Sequence, residues 1–143
     1  MIQGKEKRST SAPKARNSRK SNSDAKWLAV KRFVETVMVY ELGSVCVDLD
    51  SVLLHHNPSD GISHLGPVLP RGRELVKLLK SRNYRVVVLT SRPDNWPGDG
   101  ITFADIQADL RLADIPVDEV TNMKPPADAY LDDKAYRIPK NWR

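Results

Sequence analysis

The sequence predicts an α/β fold with a mainly parallel sheet, on the basis of two observations. Apolar runs with the length of buried strands recur at residues 44–54, 85–90, 115–121 and 129–131. Helical patterns separate the first three runs, and strands that alternate with helices imply βαβ crossovers and a parallel sheet. The chain has 143 residues, which is enough for one such domain with its own core.

Residues 24–43 are predicted to form an N-terminal extension that is either a helix or a strand. The following apolar residues recur there at three- and four-residue steps: Trp27, Val30, Val34, Val37 and Met38. This spacing favours a helix that begins near Asp24 and ends near Tyr40. The stretch FVETVMVY also has strand propensity. In either conformation the apolar face needs a partner, which is the edge of the sheet or a second subunit.

The first predicted strand, at residues 44–54, leads into an irregular piece, HHNPSDGISHLGPVLPRG, that is rich in Gly, Pro and His. A helix is predicted next, at residues 73–82. Its inner side consists of Leu75, Val76, Leu78 and Leu79. The second helix is predicted at residues 103–113. Thr102 is its expected N-cap, with Asp105 three positions further on as in a capping box.

Positive charge is concentrated at the start of the chain. Residues 1–26 carry eight Lys or Arg against two acidic residues, whereas the remaining 117 carry 15 basic and 16 acidic groups. Residues 1–23 contain almost nothing apolar, so they are predicted to be a disordered basic tail, with residues 24–143 as the folded domain. Such a tail attracts nucleic acid or anionic surfaces through counterion release. A solubilising extension is the alternative.

The composition argues against a membrane protein. No apolar stretch reaches the roughly 20 residues that a membrane span requires, and no apolar core of a secretory signal lies near the start. The single cysteine, Cys46, excludes an intramolecular disulfide, and in a core strand we expect it to be packed and poorly nucleophilic. We therefore expect a soluble, cytoplasmic protein that does not contact membranes.

Chemically active side chains follow the predicted strands. They are Asp48 and Asp50 in VCVDLDSVL, Thr90 in VVVLTSRP, and Lys124, Asp132 and Asp133 in MKPPADAYLDDKA. Ligands of an open parallel sheet bind beyond the carboxyl ends of the strands, so we expect these side chains around one crevice. Hard carboxylate oxygens without a His or Cys cluster favour Mg²⁺ over zinc. Either acid pair alone would be weak support, because acidic pairs are common at solvated strand ends.

The order of these segments resembles the haloacid dehalogenase-like hydrolase superfamily, whose phosphatases carry four motifs in the same order. The matching positions are residues 48–52 for the first motif, Thr90 or Ser91 for the second, Lys124 before Pro125 for the third, and Asp132 with Asp133 for the fourth. The resemblance covers about residues 44–142 and leaves residues 1–43 unexplained. It implies a Rossmann-like three-layer sandwich of the small phosphatase type that lacks a cap domain.

The resemblance also implies a Mg²⁺-dependent phosphomonoester hydrolase with defined roles. Asp48 would be the nucleophile that forms an aspartyl-phosphate, and Asp50 would protonate the leaving alcohol and then activate water. Thr90 would donate a hydrogen bond to a phosphoryl oxygen, and Lys124 would neutralise charge on the phosphorylated aspartate. The residues that would hold Mg²⁺ are Asp48, Asp50 through its backbone carbonyl, Asp132 and Asp133.

Further contacts to a phosphorylated substrate are expected from the second and third motifs. The substrate-binding candidates are Thr90, Ser91, Arg92 and Lys124. Arg92 would bind a second anionic group of the substrate, or it is a plain surface arginine. The histidines of the irregular piece are expected to be exposed to solvent, with substrate contact as the alternative.

The spacing of the motifs bears on the substrate. Only 42 positions separate Asp48 from Thr90, and 34 separate Thr90 from Lys124. One helix with its loops uses up each interval, so no large cap domain is expected and the site should be open. An open site suits the end of a nucleic acid, as in the similar phosphatase half of polynucleotide kinases, or another large phosphorylated molecule. The alternatives are a sugar or nucleotide phosphatase, or a non-catalytic phosphate-binding module with the same fold.

Overall fold

The computed structural model describes residues 17–36, 43–61, 64–92 and 100–135. Within these ranges, an initial helix is followed by strands that alternate with helices, and two successive strands come last. The elements are α1 (Asn17–Thr36), β1 (Ser44–Asp48), a short 3-10 helix (Pro58–Asp60), α2 (Pro70–Ser81), β2 (Arg85–Leu89), α3 (Phe103–Leu112), β3 (Glu119–Thr121) and β4 (Ala129–Leu131).

The four strands form one sheet in the order β3-β2-β1-β4, and every neighbouring pair is parallel. Val45 of β1 is opposite Val86 of β2 on one side and Ala129 of β4 on the other. The central strands β1 and β2 each contain three consecutive buried residues, the pattern of parallel strands that are covered on both faces. The protein is therefore a small α/β Rossmann-like sandwich, and the prediction of a mainly parallel sheet is confirmed.

The core lies where α2 packs on β2 and α3 packs on β3. The fully or almost fully buried residues of these two helices are Gly72, Leu75, Val76, Leu79, Ile106 and Leu110. Burial of each large aliphatic side chain stabilises the fold by about 1.5–3 kcal/mol. Three of the four residues predicted for the inner side of α2 are buried as expected, whereas Leu78 is only partly buried.

The two internal helices begin where their first residues favour it. Helix α2 starts at Pro70, three positions before the predicted start, because a proline in the first turn lacks only an N–H that would be unpaired there. Helix α3 starts with the predicted capping box. The Thr102 hydroxyl accepts from the backbone N–H of Asp105, and the Asp105 carboxylate accepts from the backbone N–H of Thr102.

Helix α1 differs from its predicted boundaries. Its start at Asn17 makes residues 17–23 helical, where the composition predicted disorder. Once the later turns are packed, each added residue extends an existing helix, which requires far less free energy than starting one. The packed side chains include Val34, which is fully buried, and Trp27. Residues 1–16 and 37–42 lie outside the described ranges.

Part of the apolar face of α1 packs within the chain, where the helix contacts α2 and the core. None of the helices in the described ranges combines the length and the apolar character that crossing a membrane requires.

Candidate functional site

The carboxyl ends of all four strands meet at one edge of the sheet. From β1 the chain passes to β2 and then β3 on one side, and β4 is added on the other side of β1. The order of strands therefore reverses between β1 and β4, and such a reversal is where open α/β sheets bind ligands. Asp48 is the last residue of β1, while Asp132 and Asp133 directly follow β4. The fold thus brings Asp48 of the first predicted acid pair and both acids of the second to the same point.

Three carboxylates form a group here that we call the acidic cluster: Asp48, Asp132 and Asp133. One carboxylate oxygen from each lies within 4.8 Å of the others. Asp48 is half-buried, and the other two are exposed. One oxygen of Asp132 also accepts a hydrogen bond from the backbone N–H of Lys134, at 2.7 Å. Three hard oxygen ligands in this arrangement could hold a metal ion, whose charge would offset their mutual repulsion.

The environment of Asp48 raises the pKa of its carboxyl group to about 6. Burial is the largest cause, and the charge of Asp132 is the next. A hydrogen bond from the backbone of Leu49 acts in the opposite direction, while Asp50 and Asp133 add smaller upward contributions. The pKa of Asp48 is therefore raised because the carboxyl group is partly desolvated and lies close to other acids. A bound cation would offset the repulsion between these acids.

A turn directly after β1 separates the two acids of the first motif. The strand was predicted to continue to Leu54 but ends at Asp48, because the backbone N–H groups of Leu53 and Leu54 both donate to the carbonyl of Leu49. Ser51 takes a left-handed backbone conformation with φ of 63°. As a result, the Asp50 carboxylate does not join the acidic cluster. Its predicted metal contact was through the backbone carbonyl.

The Asp50 carboxylate is instead held by Arg92. Nε of Arg92 donates to Oδ2 at 3.0 Å, and Nη2 donates to Oδ1 at 2.6 Å. Nη1 donates to the backbone carbonyl of His64 at 2.8 Å. The Arg92 side chain is only 5% exposed, so the alternative of a plain surface arginine was wrong. No signal in the sequence indicates this pairing, because 42 positions separate the two residues.

One histidine of the irregular piece also reaches this pair. Nδ1 of His56 lies 3.2 Å from Nη2 of Arg92 and 3.7 Å from Oδ1 of Asp50. The His56 side chain is 31% exposed. The prediction of solvent-exposed histidines is confirmed for His55 and His64, whereas His56 is only partly exposed, because the loop folds back over Arg92.

The second motif lies beside this pair. The backbone N–H of Thr90 donates to the carbonyl of Thr121 at 2.9 Å, and its hydroxyl accepts from the backbone N–H of Arg92 at 3.3 Å. Only 5% of Thr90 is exposed, whereas the adjacent Ser91 is exposed. Of the two hydroxyls predicted for substrate binding, Ser91 is thus the more accessible in this structure.

Lys124 is exposed and lies near the acidic cluster. Its ammonium is 4.5 Å from the centroid of the Tyr130 ring, within the range of a cation–π interaction. The hydroxyl of Tyr130 donates to the carbonyl of Pro125. In the described part of the chain, Lys124 forms no ion pair with Asp48, Asp132 or Asp133. The lysine is therefore in the same region as the acids but is not in contact with them.

A cavity of about 890 Å³ adjoins the acidic cluster. Its polar lining includes Ser51, Lys124, Asp132 and Asp133. A second part of its lining comes from α1, with Trp27, Val30 and Phe33. The sequence predictions assigned α1 no part in a site. The apolar periodicity of this helix was the available signal, but a pattern alone does not distinguish a cavity wall from a core contact.

Comparisons of the chain with protein-family models, with curated proteins and with solved structures find no significant match.

Proposed function

We propose that this protein is a Mg²⁺-dependent phosphomonoester hydrolase that acts through an aspartyl-phosphate on Asp48. The observation that carries the proposal is the meeting of Asp48, Asp132 and Asp133 at the reversal of strand order, with carboxylate oxygens within 4.8 Å. The resemblance of the motif order to haloacid dehalogenase-like phosphatases supports the same conclusion. A half-buried carboxylate with two acidic neighbours and an adjacent cavity suits an attack on a phosphate group.

In the first proposed step, an oxygen of Asp48 attacks phosphorus, and the bond between phosphorus and the ester oxygen breaks. The carboxyl group of Asp50 gives its proton to the departing alkoxide, so an alcohol leaves and Asp50 becomes ionised. The products of this step are the alcohol and an acyl phosphate on Asp48. Proton donation is most valuable for an alkyl leaving group, which is a strong base.

In the second proposed step, ionised Asp50 takes a proton from a water molecule as the water oxygen attacks phosphorus. The bond between phosphorus and Asp48 breaks, inorganic phosphate is released, and Asp50 has recovered its proton. In this proposal Ser91, the backbone near Thr90, and Lys124 would contact phosphoryl oxygens, the lysine after it leaves the Tyr130 ring. A Mg²⁺ ion held by the acidic cluster would supply charge stabilisation for the phosphoryl group.

A polyanionic substrate is favoured over a small metabolite by the surroundings of the cavity. The volume of about 890 Å³ is much larger than a phosphate group requires. Helix α1, which contributes to its lining, carries five basic and two acidic residues. We therefore propose the phosphorylated end of a nucleic acid as the leading substrate class, with sugar and nucleotide phosphates as the alternative.

The experiment that tests the proposed activity is phosphate release from a panel of monoesters by the full chain, with and without Mg²⁺. The panel contains 4-nitrophenyl phosphate, sugar phosphates, nucleotides, and oligonucleotides phosphorylated at the 3′ or 5′ end. We expect Mg²⁺-dependent turnover that disappears in Asp48→Asn with the fold intact. Turnover by a folded Asp48→Asn variant would contradict the mechanism. If oligonucleotides are the substrates, kcat/KM should fall steeply with salt, unlike that for 4-nitrophenyl phosphate.

A non-catalytic phosphate-binding module is a second candidate, because Lys124 contacts Tyr130 and Thr90 is almost buried. This alternative predicts Mg²⁺-dependent binding of inorganic phosphate without turnover of any panel member. Calorimetric titration of the full chain with phosphate, beside the turnover measurements, distinguishes the two candidates.

A further inference from the structure

We infer that Arg92 is a positioning residue, which holds the Asp50 carboxyl group in the orientation that delivers its proton to the leaving oxygen. This inference rests on the proposed phosphatase activity. It assigns Arg92 a function other than binding a second anionic group of the substrate.

The geometry of the pair fixes the plane of the carboxyl group. Two nitrogens of Arg92 donate to different oxygens of Asp50, at 3.0 and 2.6 Å. A guanidinium fork of this kind restricts rotation about the last side-chain bond of the acid, which a single hydrogen bond would allow. Each carboxyl oxygen has two lone pairs, so one on each oxygen remains for a proton or a reacting group.

The guanidinium group is itself held from other directions. Nη1 donates to the His64 carbonyl, and Nη2 lies 3.2 Å from Nδ1 of His56. Because a guanidinium group has only donors, Nδ1 of His56 is the acceptor in this contact. At least four of the five N–H groups of Arg92 are therefore directed at the protein. A substrate anion would have to displace these contacts in order to bind the arginine.

Asp50 and Arg92 differ in their exposure to solvent. The Asp50 side chain is 22% exposed and the Arg92 side chain only 5%. The guanidinium group is thus almost completely enclosed by protein, whereas part of the Asp50 side chain remains accessible. The charge of Asp50 contributes to the raised pKa of Asp48, so its carboxyl group lies within electrostatic reach of the proposed nucleophile.

The test compares leaving groups. For an alkyl phosphate, departure of the alkoxide needs the proton of Asp50, whereas 4-nitrophenolate leaves readily without it. The parameter kcat/KM covers the steps up to loss of the leaving group and is therefore independent of the later hydrolysis. In Arg92→Met we expect kcat/KM for the alkyl phosphate to fall by about 10²-fold, the usual size of a general-acid contribution, with a change of less than about threefold for 4-nitrophenyl phosphate.

Three further variants isolate the positioning role. Asp50→Asn should show the same dependence on the leaving group, and the double variant with Arg92→Met should lose little more, because both changes remove one function. Arg92→Lys should recover only part of the activity, since an ammonium group cannot form the fork. The matched control is Arg85→Met, which removes an arginine–carboxylate pair with Glu119 far from Asp50 in the sheet register and should leave both rates unchanged.

Each of the other outcomes has a definite meaning. Equal losses for both substrates in Arg92→Met would assign the arginine to substrate binding and overturn the inference while the phosphatase proposal stands. Failure of both Arg92 variants to fold, with Asp50→Asn folded, would make the role structural and would also overturn it. Absence of turnover by the wild-type protein on either substrate would overturn the proposed function itself, and the inference with it.

Discussion

Acidic residues lie at both ends of the sheet, and two of those at the amino end, Asp118 and Glu119, are each paired with a base. There Lys80 bonds Asp118 at 2.8 Å, and Arg85 pairs with Glu119 at the first residues of β2 and β3. At the carboxyl end, the acidic cluster has no Lys or Arg within 4.0 Å in the described part of the chain. The same residue type thus occupies two opposite electrostatic environments.

The pKa values of Asp118 and Asp48 move in opposite directions. Burial raises the pKa of Asp118, but the bonds from Lys80 and from the backbone N–H of Val86 outweigh it, and the pKa is lowered. Burial and the charge of Asp132 raise the pKa of Asp48 to about 6. Pairing of acids at one end stabilises the fold. Crowding of acids at the other end opposes folding, and such an arrangement is typical of a site that binds a cation or reacts.

The largest contrast is expected in turnover. Asp48→Asn should lower the Mg²⁺-dependent rate by roughly three orders of magnitude or more, as removal of a nucleophile does. Asp118→Asn, the same change at the other end, should leave the rate nearly unchanged and reduce stability by about 1 kcal/mol. Phosphate release and urea denaturation of both variants measure the two effects. Comparable losses of rate in Asp48→Asn and Asp118→Asn would show that the carboxyl end of the sheet is no more important for turnover than the amino end.

Mg²⁺ affinity is the next expected contrast. Addition of Mg²⁺ should raise the thermal midpoint of the wild-type protein, because the ion binds the folded state only. In Asp132→Asn and Asp133→Asn, we expect the Kd for Mg²⁺ to rise by at least roughly tenfold, and in Asp118→Asn we expect no change. Calorimetric titration gives the affinities. An unchanged Kd in both cluster variants would mean that the ion binds elsewhere.

A pH dependence of stability should follow from the raised pKa of Asp48. A carboxyl whose pKa is higher in the folded state, about 6 against 3.8, contributes stability that is complete below pH 3.8 and disappears as the pH rises through 6. In EDTA, wild type should therefore lose about 1–2 kcal/mol relative to Asp48→Asn between pH 4 and pH 7, after allowance for solvent screening of a half-exposed group. Urea denaturation of both proteins at pH 4 and pH 7 measures this change. If the difference in stability between wild type and Asp48→Asn were the same at both pH values, the raised pKa of Asp48 would not be its cause.

The smallest effect is expected at the exposed pair of Lys77 and Asp114. Although Lys77 lowers the pKa of Asp114, both side chains are largely in solvent, where ion pairs add little to stability. Asp114→Asn should give a urea midpoint that is indistinguishable from wild type at neutral pH. A loss of stability as large as that of Asp118→Asn would show that solvent exposure does not explain the expected difference between the Lys77–Asp114 and Lys80–Asp118 pairs.

The strands were predicted best where a short apolar run ends in polar residues. β4 has the predicted bounds, and β2 ends one residue earlier than expected. The first and third strands were predicted too long. Leu53 and Leu54 are buried in a turn, and Ile115 closes the end of α3 through a bond to the Leu110 carbonyl. Hydrophobicity reports burial, but it does not distinguish a buried turn from a strand.

The sequence by itself determined the α/β class and the meeting of Asp48 with Asp132 and Asp133. Both follow from a local rule, since parallel strands end at one edge and residues just beyond them are brought together. Only the tertiary structure decided that Arg92 is buried against Asp50 and that α1 lines the cavity. These contacts join segments far apart in the chain, and their geometry depends on how a turn and a loop fold back, which no spacing in the sequence encodes.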